Sequence, residues 1–310
     1  MDQSLIHLEH SLNNVHSTFD EKHITWESTT VCNYDCSYCW PDSHNNKYRW
    51  PDAEQTDKLI SYVKNFSDGK RVVFDIMGGE PTLWPDLERF CHAVGDYSLI
   101  TFSTNGSRTA RWWENFSAPV NHLLFSFHAE HADIEHYVEV LKAIHNRYRI
   151  TVLILYHTGY REKCLAAWDR FTQCDLNIQV QFKRINTTPD RMNYTEEDKQ
   201  ILQRSYHNCN IKLVNVSTQF YVDNVLTNPK DLIIHEQNKF AGWSCNLGEN
   251  YRYIKANGDI YGAACIVAPC VGNVYTTGEV KAMPSIICTT HTCECEVDIV
   301  LNSKQCYTQE

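Results

Sequence analysis

Three cysteines near the amino end of the chain have a spacing that suits metal chemistry. Cys32, Cys36 and Cys39 are separated by three and then two residues, so one short loop can turn three thiolates towards one point. An iron–sulfur cluster accepts such cysteine ligands. Because a fourth cysteine is missing at this spacing, one iron would keep an open position for a reacting molecule. One alternative is a zinc site that His44 closes as the fourth ligand. The other is three ordinary cysteines that bind no metal.

Two further motifs follow apolar segments that are typical of buried strands. Residues 72–77 precede Gly-Gly-Glu-Pro at 78–81, and residues 99–106 end in Thr-Asn-Gly. Glycine lacks a Cβ and lets the backbone approach a ligand closely, and a glutamate offers its carboxylate to an ammonium group. Ser103 and Asn105 are able to hydrogen-bond a ribose or a carboxylate. Taken alone, each motif is also typical of a plain turn.

Predicted strands and helices alternate through the first two thirds of the chain. Strands are expected at 23–29, 72–77, 99–106, 123–127, 150–156 and 178–182, and helices at 57–66, 85–94, 134–146 and 162–171. This alternation indicates a parallel sheet with right-handed crossovers. Six such strands make a partial (β/α)6 barrel, an α/β fold that binds ligands at the carboxyl ends of its strands. The three motifs lie at such ends, which supports the prediction.

Length, composition and charge exclude several classes of protein. The 310 residues are 43% hydrophobic, enough for one large globular domain or one domain with an appendage. The net charge of −10 argues against a general binder of nucleic acid or of anionic membranes. The chain has no signal sequence and no run of eighteen apolar residues, from which we predict a cytoplasmic protein. Its fourteen cysteines are then expected as metal ligands and buried thiols, since disulfides are rare in that compartment.

Three segments are predicted along the chain. Residues 1–21 form a helical or irregular lead-in, residues 22–235 form the partial barrel, and residues 236–310 form a small cysteine-rich extension of a β-hairpin and a helix. Within this extension, residues 251–261 are typical of a hairpin with an Asn-Gly turn. Four single cysteines are expected to be buried small hydrophobic side chains: Cys91, Cys164, Cys174 and Cys209.

The amino-terminal motifs resemble those of the radical S-adenosylmethionine (SAM) superfamily. The three cysteines and the aromatic Tyr38 match its CxxxCxΦC motif, and the two strand-end motifs resemble its GGEP and TNG segments. The resemblance implies that Cys32, Cys36 and Cys39 hold a [4Fe–4S] cluster to which SAM binds. The residues that it implies for SAM binding are Tyr38, Gly78, Gly79, Glu80, Pro81, Ser103, Asn105 and Ser126. After the fourth strand, Phe-His-Ala-Glu-His departs from the family's frequent Ser-Leu-Asp-Gly sequence.

The later cysteines resemble the auxiliary-cluster extension of the SPASM/twitch group of that superfamily. One cysteine precedes the hairpin, one follows it, and three more stand within eight residues. The resemblance implies an auxiliary [4Fe–4S] cluster with the candidate ligands Cys245, Cys265, Cys288, Cys293 and Cys295, while Cys270 and Cys306 are further candidates. One cluster is expected, because the CxxCxxxxxCxxxC run of SPASM proteins is absent. A structural zinc ion is the alternative.

The resemblance also implies a chemistry. The expected enzyme, an oxidoreductase or a related type, cleaves SAM reductively to a 5′-deoxyadenosyl radical that removes hydrogen from a substrate, and an electron donor such as flavodoxin or ferredoxin would be its partner. We expect oxidation, cross-linking or epimerisation of a ribosomally made peptide. A dehydrogenase or mutase of an aminocyclitol, sugar or nucleoside is the alternative. A non-catalytic iron–sulfur or zinc-binding regulator is the alternative of another class.

The sequence identifies no general acid or base. Glu27, His157 and Lys183 lie near predicted strand ends, where they can face a substrate or fill ordinary surface and core positions. Since about twenty residues precede the first predicted strand, a peptide leader is expected to need a separate protein or another docking surface.

Overall fold

The structure is a computed structural model. It describes residues 12–18, 20–185, 192–207, 219–248, 250–265, 267–276, 280–283, 285–293 and 295–306. Cys209 and the greater part of the predicted lead-in lie outside these residues.

The described residues form the following elements in chain order. The strands are β1 (Asn14–Thr18), β2 (Lys22–Glu27), β3 (Val72–Met77), β4 (Ser98–Thr104), β5 (His122–His128), β6 (Arg149–Tyr156), β7 (Gln179–Arg184), β8 (Gln219–Val222), β9 (Val225–Leu226), β10 (Ser244–Asn246), β11 (Tyr251–Ile254), β12 (Asp259–Tyr261), β13 (Gly272–Asn273), β14 (Ser285–Ile287) and β15 (Lys304–Gln305). The helices are α1 (Ala53–Ser67), α2 (Leu87–Val94), α3 (Ala110–Asn115), α4 (Ile134–Ile144), α5 (Arg161–Thr172), α6 (Glu196–His207), α7 (Pro229–Ile234) and α8 (Glu296–Leu301).

A nine-stranded sheet has the order β13-β12-β11-β2-β3-β4-β5-β6-β7, in which the six consecutive strands β2 to β7 are parallel and a helix lies between each successive pair. The pairing is in register along each neighbouring pair, for example Phe74 opposite Ile100 and Phe125 opposite Val152. Among the described residues, no pairing joins β2 to β7, so the parallel sheet is open. The predicted α/β fold with a partial parallel barrel is confirmed.

Aromatic side chains fill the layer between this sheet and its helices. Phe102 and Phe125 contact Trp113 of α3, and Phe127 packs edge-to-face on Tyr137 of α4 with ring centroids 5.2 Å apart. All five rings are fully buried. Aromatic pairs in this geometry add to the free energy gained by burial, so they fix each helix against its strand. Cys91 and Cys164 belong to the same core, as predicted, and Cys174 is half-buried.

The first crossover helix shows how the local sequence sets an element. The side chain of Asp52 accepts a hydrogen bond from the backbone of Gln55, whose own side chain accepts one from the backbone of Asp52, which completes a capping box at the start of α1. Leu59 and Val63 are fully buried, and α1 ends at Asp68 in the left-handed conformation. This crossover returns the chain to β3, beside β2, and thus brings the Gly-Gly-Glu-Pro turn next to the cysteine loop.

The predicted C-terminal hairpin extends the parallel sheet. β11 and β12 are antiparallel, and Gly258 in the connecting turn has φ +88°, a conformation that favours glycine. The hairpin is therefore confirmed. β11 pairs in parallel with β2, with Tyr253 opposite Thr25. The extension thus lies beside the strand that leads into the cysteine loop.

A second sheet of six strands has the order β14-β10-β15-β1-β8-β9. The expectation of a helical or irregular lead-in is wrong for residues 14–18, because they form β1 in this sheet. The side chain of Val15 is fully buried and packs with Phe220 and Val222 of β8. These five residues carry only a weak, local strand signal. They form a strand because β8 and β15 satisfy the backbone of β1 on both sides. No helix in the described residues has both the length and the apolar character needed to cross a bilayer.

Candidate functional site

The loop with the three spaced cysteines follows directly after β2. Cys36 is 7% exposed, and Cys32 and Cys39 are half-buried. Burial raises the pKa of all three thiols, to about 12 for Cys36 and about 11 for Cys39. The metal-free thiols are therefore neutral, and a bound cation would be needed to make them thiolates. His44 hydrogen-bonds the backbone oxygen of Trp40 through Nδ1 (3.1 Å), and its Nε2 lies 3.4 Å from the Asp35 carboxylate.

The glycines of the Gly-Gly-Glu-Pro turn pack against the backbone of the cysteine loop. A Cβ on Gly78 would lie 2.5 Å from the carbonyl oxygen of Thr29, and one on Gly79 would lie 2.2 Å from that of Val31. The backbone N–H groups of Gly79 and Glu80 donate to the same two carbonyls, each at 2.8 Å. We expected these glycines to admit a ligand, whereas the atoms nearest to their missing side chains belong to the cysteine loop.

Glu80 joins this turn to the Thr-Asn-Gly turn of the next strand. Its fully buried carboxylate accepts hydrogen bonds from the N–H and the hydroxyl of Thr82 (3.0 and 2.6 Å), the hydroxyl of Thr104 (2.8 Å) and the N–H of Asn105 (2.6 Å). Burial raises its pKa, and these four donors oppose that rise. We expected an ammonium partner for this carboxylate, but among the described residues its partners are the donors of two turns. Pro81 is buried at the start of a 3-10 helix, Pro81–Leu83.

Asn105 connects the end of β4 to the cysteine loop. Its amide nitrogen donates to the side-chain oxygen of Asn33 (2.9 Å) and lies 3.8 Å from the sulfur of Cys32. The N–H of Tyr34 also points to this sulfur, at 3.4 Å. Two donors thus face the position at which a thiolate would carry its charge.

Ser103 and Ser126 lie on the same face of the sheet. Ser103 is opposite Leu124 in the register of β4 and β5, and Ser126 follows Leu124 by two residues, which returns it to the same face. The neighbouring Phe102 and Phe125 contact the helices on the other face. Both serines are half-buried. They line the side of the sheet that the crossover helices leave uncovered.

The segment after β5 supplies contacts that the sequence did not reveal. Glu130 accepts hydrogen bonds from the N–H (2.8 Å) and the hydroxyl (2.5 Å) of Ser37, and it lies 3.2 Å from Nε2 of His157. Burial disfavours its charge, but the Ser37 hydrogen bonds and the histidines prevail and lower its pKa. The ligand atoms of Cys36, Glu130 and His131 all lie within 4.8 Å of one another. The unusual Phe-His-Ala-Glu-His sequence was the signal, but its contact with Ser37 could not be read from it.

Tyr38 is held by the same segment. Its hydroxyl lies 2.7 Å from Nδ1 of His128, and the two rings stack with centroids 5.9 Å apart. Burial lowers the pKa of His128 to about 4, so its ring is neutral at physiological pH. The ring of His157, at the end of β6, lies 5.5 Å from that of Tyr38. Tyr38 therefore sits between two strand ends with its side chain 5% exposed.

The two other residues that we considered for a substrate role differ from His157. The carboxylate of Glu27, at the end of β2, accepts a hydrogen bond of 2.5 Å from the hydroxyl of Tyr253 in β11. Burial is the main cause that raises the pKa of Glu27. The side chain of Lys183 in β7 is exposed. Glu27 thus joins the cysteine loop's strand to the C-terminal extension.

The C-terminal cysteines come from four separate segments. Cys245 lies in β10 between β14 and β15, and Cys288 is anchored to Trp243 by a backbone hydrogen bond of 2.8 Å. Burial raises the pKa of Cys245 to about 11, and the nearby thiols of Cys265 and Cys288 contribute to the rise. The thiols of Cys265 and Cys288 therefore lie close enough to Cys245 to affect its pKa.

Cys293 and Cys295 are the remaining two of the five candidate ligands. Cys293 exchanges two hydrogen bonds with Asn238, and Cys295 is the N-cap residue of α8. Burial raises the pKa of both thiols, and the carboxylate of Asp298 adds to each rise. Cys270, in contrast, is exposed. Sequence reasoning missed Asp298, because an acidic residue in an ordinary helix gives no spacing signal.

Residues 26–171 match the family model of the radical SAM superfamily. The chain contains a radical SAM domain. The matched segment of the radical SAM domain includes the cysteine loop, both strand-end turns and Glu130.

Curated relatives match about a quarter of the chain. A GTP 3',8-cyclase of Actinobacillus pleuropneumoniae serotype 3 (strain JL03) is 31% identical over 86 residues, which are 27% of this chain and 25% of that protein. A GTP 3',8-cyclase of Vibrio atlanticus (strain LGP32) is 32% identical over 89 residues, or 26% of this chain and 25% of that protein. The chain thus matches about a quarter of the length of these relatives.

Solved structures resemble the fold over most of the chain. Streptococcus suis SuiB bound to precursor peptide SuiA has a TM-score of 0.56 at 12% identity, with 83% of this chain and 63% of that chain covered. The native anSMEcpe with bound AdoMet has a TM-score of 0.55 at 15% identity, with 83% and 78% covered. At these identities the likeness establishes the fold alone.

Proposed function

We propose that this chain is a radical SAM enzyme that forms a 5′-deoxyadenosyl radical and removes hydrogen from a substrate. The observation that carries the proposal is the way in which the three-thiol loop is held. The ends of β3, β4 and β5 each contact it, through Gly79, Asn105 and Glu130. Such an arrangement orients a reactive centre at the carboxyl edge of a parallel sheet, where ligands of α/β folds bind.

The residues present fit the proposed cofactors. Cys32, Cys36 and Cys39 would hold a [4Fe–4S] cluster, since three soft donors share one loop and two N–H donors face the sulfur of Cys32. When bound, the cluster and SAM supply the radical chemistry. The residues proposed to bind SAM are Tyr38, Gly78, Gly79, Pro81, Ser103, Asn105 and Ser126. Glu80 would act on SAM indirectly, because its carboxylate fixes the two turns relative to each other.

An auxiliary [4Fe–4S] centre in a twitch-like extension is the second part of the proposal. The thiols of Cys245, Cys265, Cys293 and Cys295 all have a raised pKa, first because of burial and also because of neighbouring thiols or the carboxylate of Asp298. Buried neutral thiols become ligands when a metal centre stabilises their thiolates. Four of Cys245, Cys265, Cys288, Cys293 and Cys295 would supply its cysteine ligands in the simplest form of this proposal. A structural zinc ion is the competing occupant.

For the substrate, we propose a ribosomally made peptide that undergoes oxidation, cross-linking or epimerisation. The similar fold of SuiB, which was solved bound to a precursor peptide, supports this choice. The similarity to proteins named GTP 3',8-cyclase supports a second candidate, a nucleoside or another small molecule. A flavodoxin or ferredoxin would deliver the electron, and the oxidoreductase class belongs to the same proposal.

The test is an anaerobic reconstitution followed by assays of iron, acid-labile sulfide and 5′-deoxyadenosine. We expect about eight irons per chain and formation of 5′-deoxyadenosine when SAM and a reductant are added. The triple variant with Cys32, Cys36 and Cys39 replaced by Ala should keep about four irons and form none of the product. Cys91→Ala, in the hydrophobic core, is the matched control. A loaded protein that leaves SAM intact would favour the non-catalytic regulator.

A further inference from the structure

A buried carboxylate lies among the C-terminal cysteines. Asp298, in α8, is 2% exposed. Its Oδ1 accepts a hydrogen bond of 2.9 Å from the N–H of Ala264, whereas its Oδ2 is buried and has no hydrogen-bond partner among the described residues. A buried carboxylate oxygen without a partner is costly, because the surrounding protein does not replace the lost hydration. This oxygen is therefore a candidate ligand atom for a metal.

The position of Asp298 relates it to two of the cysteines. Cys295, the N-cap residue of α8, precedes Asp298 by three residues, so both lie at the first turn of this helix. Ala264, its hydrogen-bond donor, is directly followed by Cys265. The carboxylate is thus fixed between two chain segments that each carry a candidate metal ligand. Its charge adds to the effect of burial in raising the pKa of Cys265 and Cys295.

The nearest buried cation is already committed to other acceptors. The ammonium group of Lys304, 3% exposed, donates to the backbone oxygens of Asp298 (2.6 Å), Ile299 (3.3 Å) and Asn302 (2.8 Å). An ammonium group has three donors, and all three are used by carbonyls near the end of α8. Lys304 therefore stabilises the helix end. Its charge favours the ionised form of Asp298, but its hydrogen bonds go to these carbonyls, and none in the described residues reaches Oδ2 of Asp298.

We propose that Asp298 is an oxygen ligand of the auxiliary metal centre, beside Cys265 and Cys295. This inference rests on the auxiliary centre of the proposed function and deepens it, since one ligand of the centre would then be a carboxylate and the rest thiolates. A carboxylate is a harder donor than a thiolate, so the metal that it binds is distinguishable from the others. The unpaired Oδ2 supplies the ligand atom, and the hydrogen bond to Oδ1 orients it as outer-shell contacts orient ligands.

The experiment uses the full chain with Cys32, Cys36 and Cys39 replaced by Ala, so that iron is counted at the auxiliary centre alone. Asp298→Asn should retain at least fivefold less iron after gel filtration, because a neutral amide oxygen is a weaker ligand. Asp298→Cys should retain iron and show changed g values in the electron paramagnetic resonance spectrum of the reduced protein. Glu296→Gln, at the start of the same helix, is the matched control and should leave iron content and spectrum unchanged.

Several outcomes would overturn the inference. If the iron content and the spectrum are unchanged in Asp298→Asn, Oδ2 binds no metal. Asp298 would then only hydrogen-bond the cluster, which the amide can still do. If Asp298→Asn does not fold, Mössbauer spectra of the 57Fe-loaded protein with native Asp298 decide: a distinct iron site supports an oxygen ligand, and equivalent thiolate-bound irons exclude it. If the protein holds zinc and loses it only in Asp298→Asn, Asp298 is a metal ligand, but the metal of the auxiliary centre is zinc and not an iron–sulfur cluster. Failure of the proposed function shows separately, as absent SAM cleavage by the chain with native cysteines.

Discussion

The two cysteine regions of this chain are built in opposite ways. The first set lies on one loop, residues 28–39, and neighbouring strand ends hold that loop through backbone contacts and short hydrogen bonds. The second set is collected from four segments between residues 245 and 295: β10 and β14 belong to the second sheet, whereas Cys265 follows β12 of the first. A local set is recognisable from its spacing, whereas a dispersed set exists only once the strands have paired.

The two regions also differ in how their acidic residues are used. Near the first set, Glu80 has four hydrogen-bond donors and Glu130 has two from Ser37, so both carboxylates support the loop. Near the second set, Asp298 keeps one oxygen without a partner among the described residues. A saturated carboxylate positions other groups, while an unsaturated one is available to a ligand.

The largest expected effect separates the two regions completely. Replacing Cys265, Cys293 and Cys295 together by Ala should remove about four irons and leave 5′-deoxyadenosine formation within about threefold of the parent. The physical reason is that no described hydrogen bond to the first loop comes from these residues. Iron analysis and product chromatography make the measurement. Loss of SAM cleavage in a folded, iron-containing variant would mean that the regions depend on each other.

Gly79→Ala tests how tightly the first loop is packed. The new Cβ would lie 2.2 Å from the backbone oxygen of Val31, so one backbone must move and the nearby hydrogen bonds must lengthen. We expect a loss of about 3 kcal/mol in the free energy of unfolding of the metal-free protein, measured in urea. Gly69→Ala is the control, since its φ of +78° is strained but its Cβ meets nothing within 4 Å, and it should cost about 1 kcal/mol. Equal losses would contradict this account of the packing.

Glu80→Gln tests the bridge between the two turns. Either orientation of the amide places its NH2 group against a backbone N–H, that of Thr82 or that of Asn105, and those donors cannot turn away. Unfolding in urea should show a loss of about 2 kcal/mol. In the control Glu88→Gln, a single oxygen accepts both hydrogen bonds from Ser117, so the amide can keep them. A Glu80→Gln protein as stable as this control would refute the bridge.

A pH effect is expected in the parallel sheet, away from both cysteine regions. His122 is fully buried with Nε2 2.8 Å from the Thr151 hydroxyl, and burial lowers its pKa to about 4. Since the unfolded chain binds a proton near pH 6.5, stability is full above that pH and falls as the pH drops towards 4. His122→Gln should therefore lose about 2 kcal/mol less between pH 7 and pH 5 than the parent. His92→Gln, at an exposed site, should follow the parent curve, and a matching curve for His122→Gln would contradict the prediction.

The smallest effect is expected at Glu130. Glu130→Gln would weaken its two hydrogen bonds with Ser37 and remove the charge beside His157. Iron bound by the first loop should then be released to a chelator about threefold faster, since the loop opens more easily. Glu139→Gln, exposed on α4, serves as the control. If both variants release iron at the parental rate, Glu130 does not position the loop.

Sequence reasoning found the parallel sheet and the hairpin because their signals are local. Apolar segments such as 72–77 and the turn at Gly258 are recognisable without knowledge of their neighbours. It missed β1, whose five residues become a strand through β8 and β15, both far along the chain. It also named Glu80 and missed Glu130, because a motif marks the first and only the fold brings the second to Ser37.

By itself, the sequence determined the alternation of strands and helices, the three-thiol loop and the placement of the motifs at strand ends. These follow from periodicity and spacing, which act over a few residues. The tertiary structure decided what surrounds them: the glycines meet the backbone of the loop, β11 pairs with β2, and Asp298 accepts a hydrogen bond from Ala264, next to Cys265. Such contacts depend on strand order and register, and these are set by the packing of residues that lie far apart in the chain.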